Sequence, residues 1–433
     1  MTDRDHAGAD MHALIAGLFP ICRSITGNGV RRTLDILGQH VPLEVHEVPS
    51  GTPVFDWIVP REWNVRDAYI QSADGRRVVD FRQSNLHVVN YSLPVRARMS
   101  LAALRPHLFT RPDWPEVVPY RTSYYKETWG FCLSQRQLES LAEGEYEVVI
   151  DSSLEPGALT YGEYHLPGEI DDEVLFTCHI CHPSLANDNL SAVAVAVWLA
   201  RTLAARPGRR YSYRFLFIPG TIGSITWLAR NEGSVARIKH GVVLAGLGAG
   251  EAFTYKKSRR GDAEIDRVVS HTLSHASRPF SVADFSPYGY DERQFCSPGF
   301  NLPVGCLMRT PNGQYREYHT SADDLQFVAP ALLAESLETC VRIVDVLERN
   351  GRYVNTSPKC EPQLGRRGLY RSLGGEMDAA SRELAMLWVL NLSDGGPALL
   401  DIAERSGLPF SAIAAAADDL TSHGLLKPVT DLT

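Results

Sequence analysis

Residues 174–203 constrain this chain most. Val174-Leu175-Phe176 is an apolar run that ends in a loop holding two histidines, two cysteines and the triplet Asn187-Asp188-Asn189. A mainly apolar run, 192–203, follows and reads as a buried helix. Strand, ligand-dense loop and helix, in that order, are how an α/β protein presents a metal or reactive group at the carboxyl edge of its sheet.

The surrounding chain has the matching rhythm. Residues 173–178, 211–218 and 241–247 read as strands, 189–205 as a helix and 225–231 as the start of another. Such alternation implies a mainly parallel sheet with helices on both faces, closed by a helix over 329–349. Ahead of it, 11–37 reads as helix interrupted at Gly27-Asn28-Gly29, and 41–48 alternates like a strand. From residue 57 to about 129 the texture changes to short alternating runs broken by Pro, Gly and Asp, which reads as a β-rich insertion. Residues 352–375 are polar and rich in Gly and Pro, as in a linker. Segments 382–392, 398–406 and 411–423 then read as three short helices, and 425–429 as a wing strand. Gly407 at the turn gives a helix-turn-helix pattern. The would-be recognition helix, 410–423, carries two aspartates and neither Arg nor Lys. Phosphate contacts need positive charge, so partner docking or self-association is expected of this tail.

A chain of 433 residues exceeds one compact core, so two or three domains are expected. The net charge of -8 argues against a general nucleic-acid-binding surface. The first fifteen residues are acidic and lack a long apolar core, unlike a secretory signal. The longest apolar run, 192–200, stops at Arg201, too short for a bilayer. The eight cysteines are then expected as reduced thiols in the cytoplasm.

Three chemistries compete for Cys178-His179-Ile180-Cys181-His182. As a redox CxxC it lacks a following helix N-terminus to lower a thiol pKa, since His182-Pro183 comes next. As a structural zinc knot it lacks a second Cys/His pair at short spacing. As half of a hydrolytic zinc site, His182 and Asp188 supply an imidazole and a carboxylate, and a distant donor completes the set. His319, in Glu317-Tyr-His-Thr-Ser-Ala-Asp323, is that donor, because it lies in a polar loop just before a helix expected on the same sheet. Three protein ligands and an open fourth position make a catalytic zinc arrangement. A further loop holds adjacent carboxylates, Asp291 and Glu292. They are either a solvated turn or acids that orient a ligand or carry a proton.

Together the motifs Cys181-His-Pro-Ser-Leu-Ala-Asn-Asp-Asn-Leu-Ser191, Phe217-Ile-Pro-Gly-Thr-Ile-Gly-Ser224, Asp291-Glu-Arg-Gln-Phe-Cys-Ser-Pro-Gly299 and Glu317-Tyr-His-Thr-Ser-Ala-Asp323 resemble the M28-type zinc aminopeptidases. The resemblance is closest to a bacterial aminopeptidase-like branch with a β-rich insertion and a C-terminal winged helix. It implies an M28-like (phosphorylase/hydrolase-like) α/β domain over 1–55 and 130–355, an inserted subdomain over 56–129 and a winged helix over 376–433. His182 resembles the first metal-binding histidine, with His179 as the alternative. Asp188 resembles the aspartate that bridges two zincs, and His319 the last histidine. The Asp291 loop resembles one whose Asp supports the catalytic carboxylate.

Two departures stand out. The peptidases carry a Glu-Glu pair after the third strand and an Asp at the end of the next. Residues 215–224 and 244–250 here contain no carboxylate. One zinc per chain, on His182, Asp188 and His319, is therefore expected rather than two. The general base then comes from Glu317, Asp291 or Glu292, with Glu251 more remote. Tyr255-Lys-Lys-Ser-Arg-Arg260, Arg293 and Arg309 would suit a carboxylate or phosphate on the ligand, or are a solvated basic turn. Trp57, Trp63, Tyr124, Tyr125 and Trp129 wall a pocket or form the insertion's core. The expected activity is zinc-dependent hydrolysis of an amide bond next to a free amino group, in a peptide or peptide-like metabolite, through metal-activated water. The competing expectation is a binding or scaffold protein that keeps the metal site without the Glu pair. Expected partners are a small peptide-like substrate and further copies of the chain through the winged helix, with no nucleic acid and no membrane.

Overall fold

The chain divides into two units, residues 1–263 with 279–337 and residues 264–278 with 338–433. The computed structural model describes residues 3–369 and 377–429. Positions 370–376 of the expected linker and winged helix, and the last four residues, lie outside the described part.

The first unit is built on an eight-stranded sheet: β1 Glu44–Pro49, β2 Ala158–Leu166, β3 Glu173–His179, β4 Ser212–Ile218, β5 Ile238–Ala245, β6 Phe253–Lys256, β7 Phe280–Ala283 and β8 Val304–Met308. Their order across the sheet is β1-β2-β4-β3-β5-β8-β6-β7. The central four are parallel, while β1, β2 and β4 pair antiparallel on one flank, as do β8 and β6 on the other. The sheet is thus mixed around a parallel centre. β3 is buried along its whole length between β4 and β5, the condition under which a strand becomes a continuous apolar run.

Strand order decides where chemistry can sit. Helix Ala192–Ala204 carries the chain from β3 to β4 on one side, and helix Ile222–Asn231 carries it back to β5 on the other. Right-handed crossovers in opposite directions place these helices on opposite faces. The reversal at β3 leaves a crevice beyond the carboxyl ends of β3 and β5. Helix Ala192–Ala204 is nearly all Ala, Val and Leu, and Trp198, Arg201, Thr202 and Ala204 mark its outward stripe. Upstream, helices Asp3–Leu18 and Asn28–Leu37 are separated at Gly27, where φ is 98° and a Cβ would meet Trp63 O at 2.1 Å.

Strands Arg77–Asp80, Glu62–Ser72 and Val95–Ser100, all within 56–129, join Glu145–Glu155 in a four-stranded antiparallel sheet. Its core is not separate. Trp63, Ile70, Phe131, Val148 and Ile150 belong to the same buried cluster as Leu175, Ile218, Val243 and Phe295. Trp63 is core, donating Nε1–H to Ser92 O at 2.8 Å, whereas Trp57 is 41% exposed.

In the second unit, helices Met377–Leu392, Leu399–Ser406 and Phe410–Ser422 accompany a three-stranded antiparallel sheet. Its central strand, Arg352–Asn355, comes from the stretch that reads as linker and pairs with Asp394–Ala398 and Leu426–Pro428. Partners this distant leave no local periodicity in a four-residue strand.

The sheet of the first unit contains one concentrated electrostatic joint. Arg214 of β4 binds Glu173 of β3, Nε to Oε2 at 2.6 Å, and also Glu163 of β2. Glu173 is 3% exposed, so removing the guanidinium strands buried negative charge. Arg214→Leu should cost about 3–5 kcal/mol of unfolding free energy, measurable by urea denaturation of the full chain.

Candidate metal centre

The centre is assembled around Asp188. The loop after β3 tightens into Ala186–Ser191, whose residues are all buried. Its two asparagines face the backbone beyond β5. Asn189 Oδ1 accepts from Gly246 N–H at 3.1 Å, and Asn187 Oδ1 from Gly248 N–H at 2.9 Å. Ser191 Oγ accepts from Leu247 N–H at 2.9 Å. With both neighbours committed to the next strand's end, Asp188 turns toward three histidines.

His179 Nε2 lies 2.9 Å from Asp188 Oδ1, His182 Nδ1 lies 3.2 Å from Oδ2, and His319 Nε2 lies 3.1 Å from Oδ2. His182, Asp188 and His319 therefore meet, and His179 joins them. Among the described residues, the three donors within 4.8 Å of one another are His179, His182 and Asp188, with His319 reaching the group through Oδ2. Burial opposes the charge on Asp188, but the imidazoles outweigh it and hold the carboxyl well below its usual range. Burial lowers His179 to about 4 despite Asp188, and lowers His319 as well. An ionised carboxylate beside imidazoles that burial disposes to stay neutral, as at His179 and His319, is the form in which these groups bind metals.

Other residues fix this geometry. Asp323 accepts from the N–H groups of Asn187 at 2.5 Å and Asp188 at 3.0 Å. Fully buried Arg23 donates Nε–H to His182 O at 2.8 Å. Asn189 Nδ2 lies 3.2 Å from His179 Nδ1. His319 has a φ of 54°, outside the usual region for a residue with a side chain. It is held there by Tyr120, whose N–H donates to His319 O at 2.7 Å. Strain of about 1–3 kcal/mol at such a position persists where the surroundings over-determine it.

Three tyrosines pack on the rings, and a fourth backs one of them. Tyr120 packs edge-on against His182 and His319, at 5.2 and 5.1 Å between centroids. Tyr318 stacks on His319 and Tyr290 lies over His179, both at 3.9 Å. Tyr290 Oη is 3.2 Å from His182 Nε2. Tyr315 stacks on Phe327 and lies edge-on to Tyr318. Of these, Tyr120, Tyr290 and Tyr315 are not marked as site residues by the sequence, because an aromatic in a loop carries no signal of its partner.

The carboxylate candidates differ in their settings. Glu317 is half-buried, two residues before His319. Asp291 is fully buried, and its Oδ1 accepts from Thr221 N–H at 2.6 Å and Ser224 Oγ–H at 2.9 Å. Glu292, also fully buried, is ion-paired with Lys256 and accepts from Tyr290 N–H at 3.2 Å. Glu251 is exposed. Cys178 and Cys181 are buried free thiols, and burial pushes Cys181 up to about 12, which keeps it protonated and unsuited to redox attack. Arg309 is committed to Glu335 and to the ring of Phe253.

The sheet, the switch-point crevice and the histidine cluster define an aminopeptidase-like fold, here joined to a winged helix. Residues 12–350 match the family described as a domain of unknown function (DUF4910), and residues 351–428 match a winged helix-turn-helix family. The chain belongs to the DUF4910 family. A Clostridium acetobutylicum protein, provisionally named a polysaccharide biosynthesis protein with aminopeptidase-like domain, is 53% identical over 98% of this chain and 97% of its own length. A crystal structure of a provisionally named peptidase from Clostridium acetobutylicum superposes with a TM-score of 0.94 at 51% identity, covering 99% of this chain and 98% of that one. The zinc aminopeptidase BSAP of Bacillus subtilis shares the fold, with a TM-score of 0.57 at 14% identity over 79% of this chain and 94% of that one. M28-type zinc aminopeptidases are thus the structural neighbours.

Asp291 gives this region a pH signature. Burial pushes its carboxyl from 3.8 up to about 7, against the Thr221 and Ser224 hydrogen bonds. Across that window the native state holds a proton that the unfolded chain releases, so this group's contribution to stability falls as pH rises and is lost above about 7. Asp291→Asn should therefore show a smaller drop in Tm between pH 5 and pH 8 than wild type. Identical melting profiles would show that Asp291 does not titrate there.

Proposed function

We propose that this protein is a metal-dependent hydrolase of aminopeptidase type. It cleaves an amide bond adjacent to a free amino group in a peptide or peptide-like metabolite. The observation carrying this reading is the convergence of His179, His182 and His319 on the ionised, buried carboxylate of Asp188 at the carboxyl edge of an aminopeptidase-like sheet. Imidazole and carboxylate donors are those that zinc takes in catalytic sites, and His179, His182 and Asp188 lie close enough together to hold one ion. His319 is a further donor beside them. We assign one zinc per chain. When bound, zinc supplies the Lewis acidity that activates water and polarises a carbonyl.

The remaining roles belong to the chain itself. The Tyr290 hydroxyl, beside His182, donates a hydrogen bond to the scissile carbonyl oxygen as negative charge develops on it. Glu317 takes the proton of the attacking water and returns it to the leaving amine. Asp291 and Glu292 position the loop that carries Tyr290, through Thr221, Ser224 and Lys256. Asp323 positions Asp188. In the winged helix, Asp418 and Asp419 are paired with Arg349 and Arg382. We assign this module to association between copies of the chain.

The test combines elemental analysis with turnover on aminoacyl anilides, short peptides and amide-bearing saccharides. The saccharides follow from the name of the Clostridium relative. Zinc at one atom per chain is expected, with most of it lost in His182→Ala and Asp188→Ala. Unchanged zinc content in His182→Ala would defeat the ligand assignment. Glu317→Gln should keep zinc and lower kcat by about 10² to 10⁴-fold; wild-type kcat would remove it from the mechanism. Asp323→Ala should weaken zinc binding by about 10 to 100-fold, read by competition with a chromogenic chelator.

A further inference from the structure

The loop carrying Tyr290 and Asp291 has a second side. Phe285, Pro287, Arg293 and Gln294 from this region, with Trp57, Thr221 and Arg259, wall a cavity of about 570 Å³. Among the described residues two arginines line it and no carboxylate does. Nearby basic side chains are neutralised: Lys256 by Glu292, Lys257 by Asp284 and Arg309 by Glu335. Arg259 donates to Asn301 Oδ1 at 3.0 Å and has no carboxylate partner among the described residues. Arg293 lines the cavity, is half-buried, lies close enough to Asp291 to favour its charged form, and has no acceptor for its Nε–H among the described residues. A desolvated guanidinium N–H without an acceptor is costly. Its planar fork matches a carboxylate or a phosphate.

We infer that this cavity is the subsite for an anionic group, carboxylate or phosphate, on the substrate, with Arg293 as its principal contact and Arg259 as its second. Trp57 and Phe285 supply apolar walls for the body of the ligand. The cavity is linked to the histidine cluster. Thr221, on its wall, donates N–H to Asp291, and the adjacent Tyr290 reaches His182. The anion site stands on the cavity alone, whereas its role in substrate binding rests on the hydrolase reading above.

Zinc-loaded full-length protein is titrated calorimetrically with inorganic phosphate and, separately, with glutarate. Wild type should bind at least one of them. Binding of phosphate alone or of glutarate alone identifies the group, and both outcomes support the site. Arg293→Gln should weaken binding by at least about tenfold, and Arg259→Gln by several-fold. Both variants should keep wild-type zinc content and circular dichroism, and Arg293→Lys should recover part of the affinity. Anion held on zinc would be insensitive to Arg293. Wild-type affinity in Arg293→Gln, or no binding of either anion by wild type, therefore overturns the site. Arg293-dependent binding in a protein that holds no zinc would keep the anion site and remove its link to hydrolysis, so the two failures are distinguishable.

Discussion

The buried carboxylate of Asp188 sets the terms for the rest of this structure. A charge at 3% side-chain exposure must be matched, and here imidazoles from three positions match it. His179 ends β3, His182 lies in the loop beyond it, and His319 arrives after β8. Parallel strands put the ends of β3 and β8 on one edge of the sheet. The hydrogen bonds from Asn187 and Asn189 to the backbone after β5, and from the Asn187 and Asp188 amides to Asp323, leave the carboxylate one way to point. Leaving a buried carboxylate without one of its hydrogen-bond partners is destabilising, so the constraint acts on folding as well as on chemistry.

The departures from the M28 pattern have structural occupants. Residues 215–224, the segment compared with the one that carries a Glu pair in those peptidases, contain no carboxylate and include Gly220. A Cβ at Gly220 would meet the Tyr290 hydroxyl at 2.3 Å and its ring at 2.4–2.6 Å. The absence of a side chain there makes room for Tyr290, whose hydroxyl reaches His182. At the end of β5, residues 244–250 also contain no carboxylate, and there Gly246 has a φ of 54° and gives its N–H to Asn189 Oδ1. A polar backbone thus supports the loop at one departure, and an aromatic hydroxyl reaches the centre at the other.

The β-rich segment also reaches the centre. Residues 117–123 run beside the His319 loop, with Tyr120 N–H on His319 O and Ser321 N–H on Val118 O. Tyr120 is thereby wedged against two histidines. Core continuity from Trp63 and Ile150 to Leu175 and Val243 ties that sheet to the strands beneath the site.

Much of this was legible in local pattern. The apolar run 174–176, the donor-rich loop and the Ala/Val helix specified a strand, a turn and a buried helix, because hydrophobic periodicity acts over a few residues. Asp188 and His182 stood out for the same reason: loop donors beside a buried strand have few other uses. The same reading ranked His179 second, although as the last residue of β3 it points into the cluster, and it could not place Arg352–Asn355 in a sheet. In the sequence Asp291 and Glu292 read as candidates for the base, whereas folded both are fully buried and bound to Thr221, Ser224 and Lys256. By itself the sequence determined the α/β rhythm, the winged-helix tail and the chemical types of the donors. The tertiary structure alone decided which donors meet. The contact between Asp188 and His319 spans 131 residues, and strand order rather than any local preference brings such distant atoms within 3.1 Å.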